Sequence, residues 1–259
     1  MSGTSYSAGA AAPGGFRVGT VFARAFEIYG RNFAKFFALT AIAYVPYFLL
    51  QIYTVSTLQA VQRNPGAVQA GSVVGAALGG VLLLMVLHTI SEAAVIFGAF
   101  QEMRGRPFAI GDSLAKGLNR FLPIIALSFC IGIAMAVGFV LLIIPAFIFL
   151  AMLYVALPAC VVERLGPFQS MGRSADLTSG HRWAVFGIAI LLALINIIAN
   201  KVIQLIFAAI GGSLFGVLGS FGWLSLFGAF SAIVVSVAYH DLRVVKEGID
   251  VDRIAAVFD

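Results

Sequence analysis

Too few charges are present in this chain to cover a water-facing surface. Asp, Glu, Lys and Arg make up 10% of its 259 residues, against about 25% in a soluble domain. Cysteine is scarce too: Cys130 and Cys160 both lie inside apolar runs with no Cys-x-x-Cys, which excludes a disulfide framework or a zinc ribbon and leaves them as small hydrophobes. The three histidines, His88, His181 and His240, fall on separate segments, so no metal cluster is expected. Glycine is plentiful, but no Gly-Lys-Ser/Thr follows any glycine-rich stretch, and phosphate loops are excluded. No nucleophile–base pair stands out at a plausible membrane depth. The expectation is a non-enzymatic protein without cofactor or metal. Residues 1–16 lack the charged and apolar regions of a signal peptide, and a disordered tail is expected there.

Apolar residues fill the gap. They make up 61% of the chain, and the mean hydropathy is +1.03. A membrane helix needs about 20 mostly apolar residues, because the hydrocarbon core is about 30 Å thick and the rise about 1.5 Å per residue. Phe36–Tyr53 is such a run, with Pro46 as a kink, and Ser72–Phe100 is a second. Residues 121–162 contain no Asp, Glu, Lys or Arg over 42 positions; one helix of that length would reach about 63 Å, so a two-span hairpin is required. Pro145 is the expected turn. Trp183–Ile210 and Ser213–Tyr239 complete six spans. The fold class is therefore all-α: a polytopic bundle over residues 17–246, with a short tail at 247–259.

The net charge of +5 does not point to nucleic acid, because the basic residues occur in short clusters between apolar runs. Arg17, Arg24, Arg31 and Lys35, then Arg104, Arg106, Lys116 and Arg120, then Arg164, Arg173 and Arg182, then Arg243, Lys246 and Arg253 fall on one side. Arg63 alone falls on the other, and Lys201 sits inside the fifth run. Fourteen against one places both termini in the cytoplasm by the positive-inside rule. Membrane lipids are the expected partners.

Each helix pair is preceded by a short amphipathic stretch: Val18–Asn32, Pro107–Arg120 and Pro167–Arg182. The second and third are introduced alike, by Glu102, Arg104, Gly105, Pro107, Phe108 and by Glu163, Arg164, Gly166, Pro167, Phe168. The sixth span ends similarly at His240, Asp241 and Arg243. Three repeats of an interfacial amphipathic helix plus a helical hairpin are expected. Three stretches, RVGTVFARAFEIYGRNFAKFF, VVERLGPFQSMGRSADLTSGHRWAVFGI and YHDLRVVKEGID, resemble the membrane-domain family associated with glycerophosphoryl diester phosphodiesterases and related bacterial multi-span proteins. The resemblance runs from about Arg17 to Asp250. It implies the membrane part alone, in a bacterial inner membrane, because the barrel that carries the family's phosphodiesterase chemistry has no counterpart among these residues.

Polar residues inside the spans are the functional candidates. Glu92 lies ten positions before Glu102, about 15 Å in from the basic end. An intramembrane carboxyl carries a cost of about 2.5–3.5 kcal/mol and is a functional candidate by default. His88 sits one turn deeper on the same face. Either the pair relays protons, or Glu92 is a neutral acid hydrogen-bonded to a neighbouring helix. Asn196, Asn200 and Gln204 share a face of the fifth span beside Lys201, whose depth of about 27 Å argues against an ion pair with Glu92 and for a reach to the far headgroups. Gly71, Gly75 and Gly79, and Gly212, Gly216 and Ser220, have small-xxx-small spacing, suited to packing within one chain or to a homo-oligomer seam. Two functions remain open: handling of lipids or scaffolding of membrane partners, and transport of a small solute or proton through Glu92, His88 and the fifth-span stripe.

Overall fold

The computed structural model describes residues 16–64, 70–141, 143–211 and 213–248. Most of the expected tails lie outside these residues; Phe16, which the sequence places in the first tail, is buried with its ring edge-on to His181 at 5.9 Å. The described residues contain helices and no strand. In chain order these are α1 (Val18–Arg31), α2 (Phe33–Arg63), α3 (Ala70–Met103), α4 (Ile110–Asn119), α5 (Phe121–Val140), α6 (Ile143–Leu153), α7 (Ala156–Val162), α8 (Pro167–Thr178), α9 (Arg182–Gly211) and α10 (Ser213–Glu247). Helices α2, α3, α5, α9 and α10, together with the broken pair α6–α7, supply six spans long and apolar enough to cross a bilayer. The chain is an integral membrane protein.

Three units of short helix plus hairpin follow one another: α1 with α2–α3, α4 with α5 and α6–α7, and α8 with α9–α10. Within each unit the two spans pack on each other. The second spans are inner and the first spans outer. In their most apolar stretches α3, α6–α7 and α10 bury 39%, 44% and 61% of residues, against 22%, 17% and 22% for α2, α5 and α9. Each short helix rests on the second span of the preceding unit: α4 on α3, α8 on α7, and α1 on α10. The last of these contacts joins the two ends of the series, so the three units close into a ring.

Electrostatics explains why the acidic residue recurs at each unit boundary. Arg31 of α1 approaches Glu102 at the end of α3, at 3.8 Å. Arg173 of α8 donates through Nε to both oxygens of Glu163, just after α7, at 3.0 Å. Arg24 of α1 pairs with Asp241 in the last turns of α10 at 2.5 Å. An acid at the basic end of each second span is thus held by an arginine from a short helix. Around Glu163 the network is larger: Arg173 also donates to Glu247, Arg243 donates to Glu247 at 3.1 Å, and the Tyr239 hydroxyl donates to Glu163. Burial opposes the Arg173 charge, but its bonds to Glu247 and Glu163 win and hold its pKa above the ordinary value.

The apolar face of α1 is largely taken by protein. Val21, Ala25, Ile28 and Tyr29 are buried, and the Phe22, Phe26 and Tyr29 rings lie 6.3, 4.5 and 5.8 Å from that of Phe230 on α10. Tyr29 donates to the Leu226 carbonyl at 3.0 Å, and burial pushes its hydroxyl pKa up to about 12. Phe26 remains 61% exposed and is left for the lipid boundary. Phe168 and Trp183 are exposed at the same end of the bundle, as expected of aromatic residues at headgroup depth.

The second hairpin turns earlier than the sequence suggests. α5 ends at Val140 and α6 begins at Ile143, so Pro145 sits in the first turn of α6 instead of at the bend. A proline there loses nothing, since the N–H it lacks would have no partner in a first turn. Gly138 lets the two arms close. A Cβ at that position would stand 2.8 Å from the Ala146 Cα and 2.9 Å from its nitrogen. The glycines at 71, 75, 79 and 216 behave differently, with open space where a Cβ would go. Those faces are not used for packing by the described residues; Gly212 lies outside them.

Candidate functional site

The fourth span is not one helix. α6 stops at Leu153, Tyr154 and Val155 form a turn, and α7 resumes at Ala156. Pro158 is the cause: in a continuous helix the residue at 158 would donate its N–H to the Tyr154 carbonyl, and proline has none to give. Non-helical backbone at membrane depth survives where it is buried in protein or lines a cavity. Here it lines a cavity.

That cavity has a volume of about 340 Å³ and lies between α3, α5 and the broken fourth span, with Val235 of α10 behind it. The volume is within the usual range for small-molecule sites, about 300–1,000 Å³. From α3 it is lined by Met85, His88, Thr89 and Glu92, four residues that share a face because they recur at helical spacing. α5 contributes Ser128, Ile131 and Met135. The fourth span contributes Phe149, Leu150 and Leu153 before the break, then Tyr154 and Leu157. The walls are mostly apolar, and α3 carries most of the polar groups, His88, Thr89 and Glu92.

The polar side is organised by His88. Its Nδ1 shares a hydrogen bond of 2.8 Å with the hydroxyl of Tyr44 on α2, and the two rings are stacked with centroids 6.4 Å apart. Its Nε2 lies 3.8 Å from Glu92 Oε2. A line of titratable groups therefore runs from the buried Tyr44 through His88 to Glu92. The side chains of His88 and Glu92 are 46% and 24% exposed, which at mid-span means that they open into the cavity. The Tyr154 hydroxyl is buried and has no hydrogen-bond partner among the described residues. A buried hydroxyl without a partner costs about 1–3 kcal/mol.

The cavity also has an apolar approach. On α3, Val74, Leu78, Val81 and Leu82 are exposed and lead along one face to Met85, which is itself half exposed and lines the cavity. A molecule dissolved in the bilayer would meet a continuous apolar surface up to His88 and Glu92.

The six polar residues singled out by sequence divide into two groups. His88 and Glu92 come together in the cavity. Asn196, Asn200, Lys201 and Gln204 do not line it, because α9 packs on α10 and α6. Asn196 accepts from Trp223 Nε1 at 2.9 Å, joining α9 to α10, while Gln204 donates to Asn200 at 2.7 Å on an exposed face, where Lys201 is also exposed. Sequence reasoning missed Tyr44, Ser128 and Tyr154. Pro158 was a readable signal for Tyr154, four residues upstream in an apolar run; nothing marked the other two. Cys160 is buried with its thiol directed to the Leu165 carbonyl at 3.5 Å, and Cys130 is partly buried. Among the described residues, no group of three or more His, Cys, Asp or Glu side chains is placed to hold a metal ion.

These features define an integral membrane protein with a solute-sized cavity inside its spanning region. No family model matches the chain, and no curated protein or solved structure matches it either.

Proposed function

We propose that the protein is a non-enzymatic lipid-handling protein of a bacterial inner membrane that takes a lipid-soluble molecule from the bilayer into the cavity between α3, α5 and the broken fourth span. The observation that carries this reading is the cavity, with apolar walls continuous with the lipid-facing surface of α3 and polar groups gathered at Glu92, His88 and Tyr154. Such a site suits an amphiphile with an apolar body and a hydrogen-bonding head. The bias of basic residues to one side supports cytoplasmic termini. A volume of about 340 Å³ suits one small molecule or a single chain end better than a whole two-chain phospholipid.

The test is photolabelling in nanodiscs with an uncharged aryl-diazirine probe. Leu153 and Leu157 are buried and line the cavity, so they report entry. Labelling at both is expected, and Ser128→Trp, which fills the cavity from the α5 side, should reduce it at least several-fold while leaving labels on lipid-facing Phe129 unchanged. Equal labelling of Leu153 and Leu157 in the two proteins would overturn the reading. Proton-coupled transport is the second reading, favoured by the line from Tyr44 through His88 to Glu92. It requires water to reach Glu92, whereas lipid handling requires only a lateral opening.

A further inference from the structure

The charge pattern of the cavity selects among amphiphiles. Among the described residues its titratable lining groups are Glu92 and His88 from α3 and Tyr154 from the turn after α6; α5 and α10 contribute none, and no Lys or Arg lines it. When ionised, Glu92 is the one formal negative charge on the wall, and among the described residues His88, 3.8 Å away, is the one lining group able to carry an opposing charge. An anionic head would be placed beside an acid with no Lys or Arg to receive it, at a depth where an unpaired charge is most costly. A cationic head would find the carboxyl of Glu92 and, elsewhere on the same wall, two aromatic residues, Phe149 of α6 and Tyr154 of the turn after it. Aromatic faces attract cations, most strongly where water is excluded. Met85 and Met135 add polarisable sulfur to the wall, and methionine adapts to ligands of varied shape.

From this convergence we infer that the occupant is a cationic amphiphile, an organic amine or quaternary ammonium with an apolar body, held with its charge at Glu92 and its body against the α5 and α6 side chains. This inference rests on the proposal that the cavity admits a lipid-soluble molecule. His88 is the positioning residue: its bond to Tyr44 fixes the imidazole beside Glu92, with Nε2 3.8 Å from the carboxyl.

Competition against the aryl-diazirine label at Leu153 and Leu157 tests this in the full-length protein in nanodiscs. Three competitors share one apolar body: phenylbutyl-trimethylammonium, its uncharged tert-butyl isostere, and phenylpentanoate. The cation is expected to compete at about tenfold lower free concentration than the isostere, with the anion weakest. In Glu92→Gln the cation should lose that advantage, and in Glu92→Asp it should regain part of it. Equal potency of cation and isostere in the wild-type protein, or a stronger anion, would overturn the inference while leaving the cavity reading intact. Absence of label at Leu153 and Leu157 would overturn the cavity reading itself. If Glu92→Gln does not fold, the wild-type series alone decides.

Discussion

Gly138→Leu is expected to leave almost no folded protein. A Cβ at this position would lie 2.8 and 2.9 Å from the backbone of Ala146 and 3.0 Å from the Phe149 ring, and backbone atoms cannot rotate aside as a side-chain tip can. Overpacking costs about 1–3 kcal/mol when neighbours can adjust; against backbone the loss should reach the upper end or beyond, and the hairpin must open to relieve it. Opening moves α5 away from α6 and removes the cavity, since Ser128, Ile131 and Met135 form one wall and Phe149, Leu150 and Leu153 the other. Gly132→Leu is the control, because position 132 on the same helix has open space where its Cβ would go and leucine is the better helix former. Size-exclusion profiles and thermal unfolding in detergent should separate the two variants sharply. Similar behaviour of both would contradict the close α5–α6 approach.

Glu163→Ala should give the largest loss among the charged residues. It removes the acceptor of Arg173 and of the Tyr239 hydroxyl and leaves Arg173 and Arg243 with Glu247 as their remaining acid partner in the network. Breaking a buried ion pair from one side costs about 3–5 kcal/mol. The Glu163 and Arg173 side chains are 20% and 25% exposed, which reduces the expected loss to about 2–3 kcal/mol after allowing for solvent screening. Glu27→Ala, at an exposed pair 3.9 Å from Arg31, should stay within about 0.5 kcal/mol. Equal thermal shifts for the two variants would mean that the Glu163 network does not hold α7, α8 and α10 together.

The spans were legible because lipid imposes length and apolarity, and both can be counted along a sequence. The repeat was legible from Glu102, Pro107 and Phe108 against Glu163, Pro167 and Phe168. What the acids do was not, since an arginine of α1 reaching Glu102 or Asp241 is a tertiary fact. Phe108 and Phe168 illustrate the limit: they occupy the same place in the motif, yet Phe108 is buried 4.7 Å from the Phe36 ring and Phe168 is exposed. In the candidate site, His88 and Glu92 were readable because four residues make one helical turn. The partner helix was not readable: nothing in the sequence marks Tyr44 of the first span, which the ring arrangement brings to His88. Pro145 and Pro158 lie in one apolar run, and composition alone does not reveal which of them interrupts a helix. Each is the third residue of its helix, where a missing N–H costs nothing; Pro145 follows the bend between two spans, whereas Pro158 follows a turn inside one span, where an unbroken helix would have needed its N–H.

Collision accessibility of a nitroxide at Ile131→Cys, in a protein with Cys130 and Cys160 replaced by alanine, tests the central claim most directly. Ile131 lines the cavity from α5. A cavity open to lipid predicts high accessibility to oxygen, which dissolves in the bilayer, and low accessibility to a water-soluble nickel chelate, as for a label at lipid-exposed Phe129. Low accessibility to both reagents would mean a sealed, dry core, and high accessibility to the chelate would mean an aqueous path to Glu92; either result would contradict lateral entry from the bilayer.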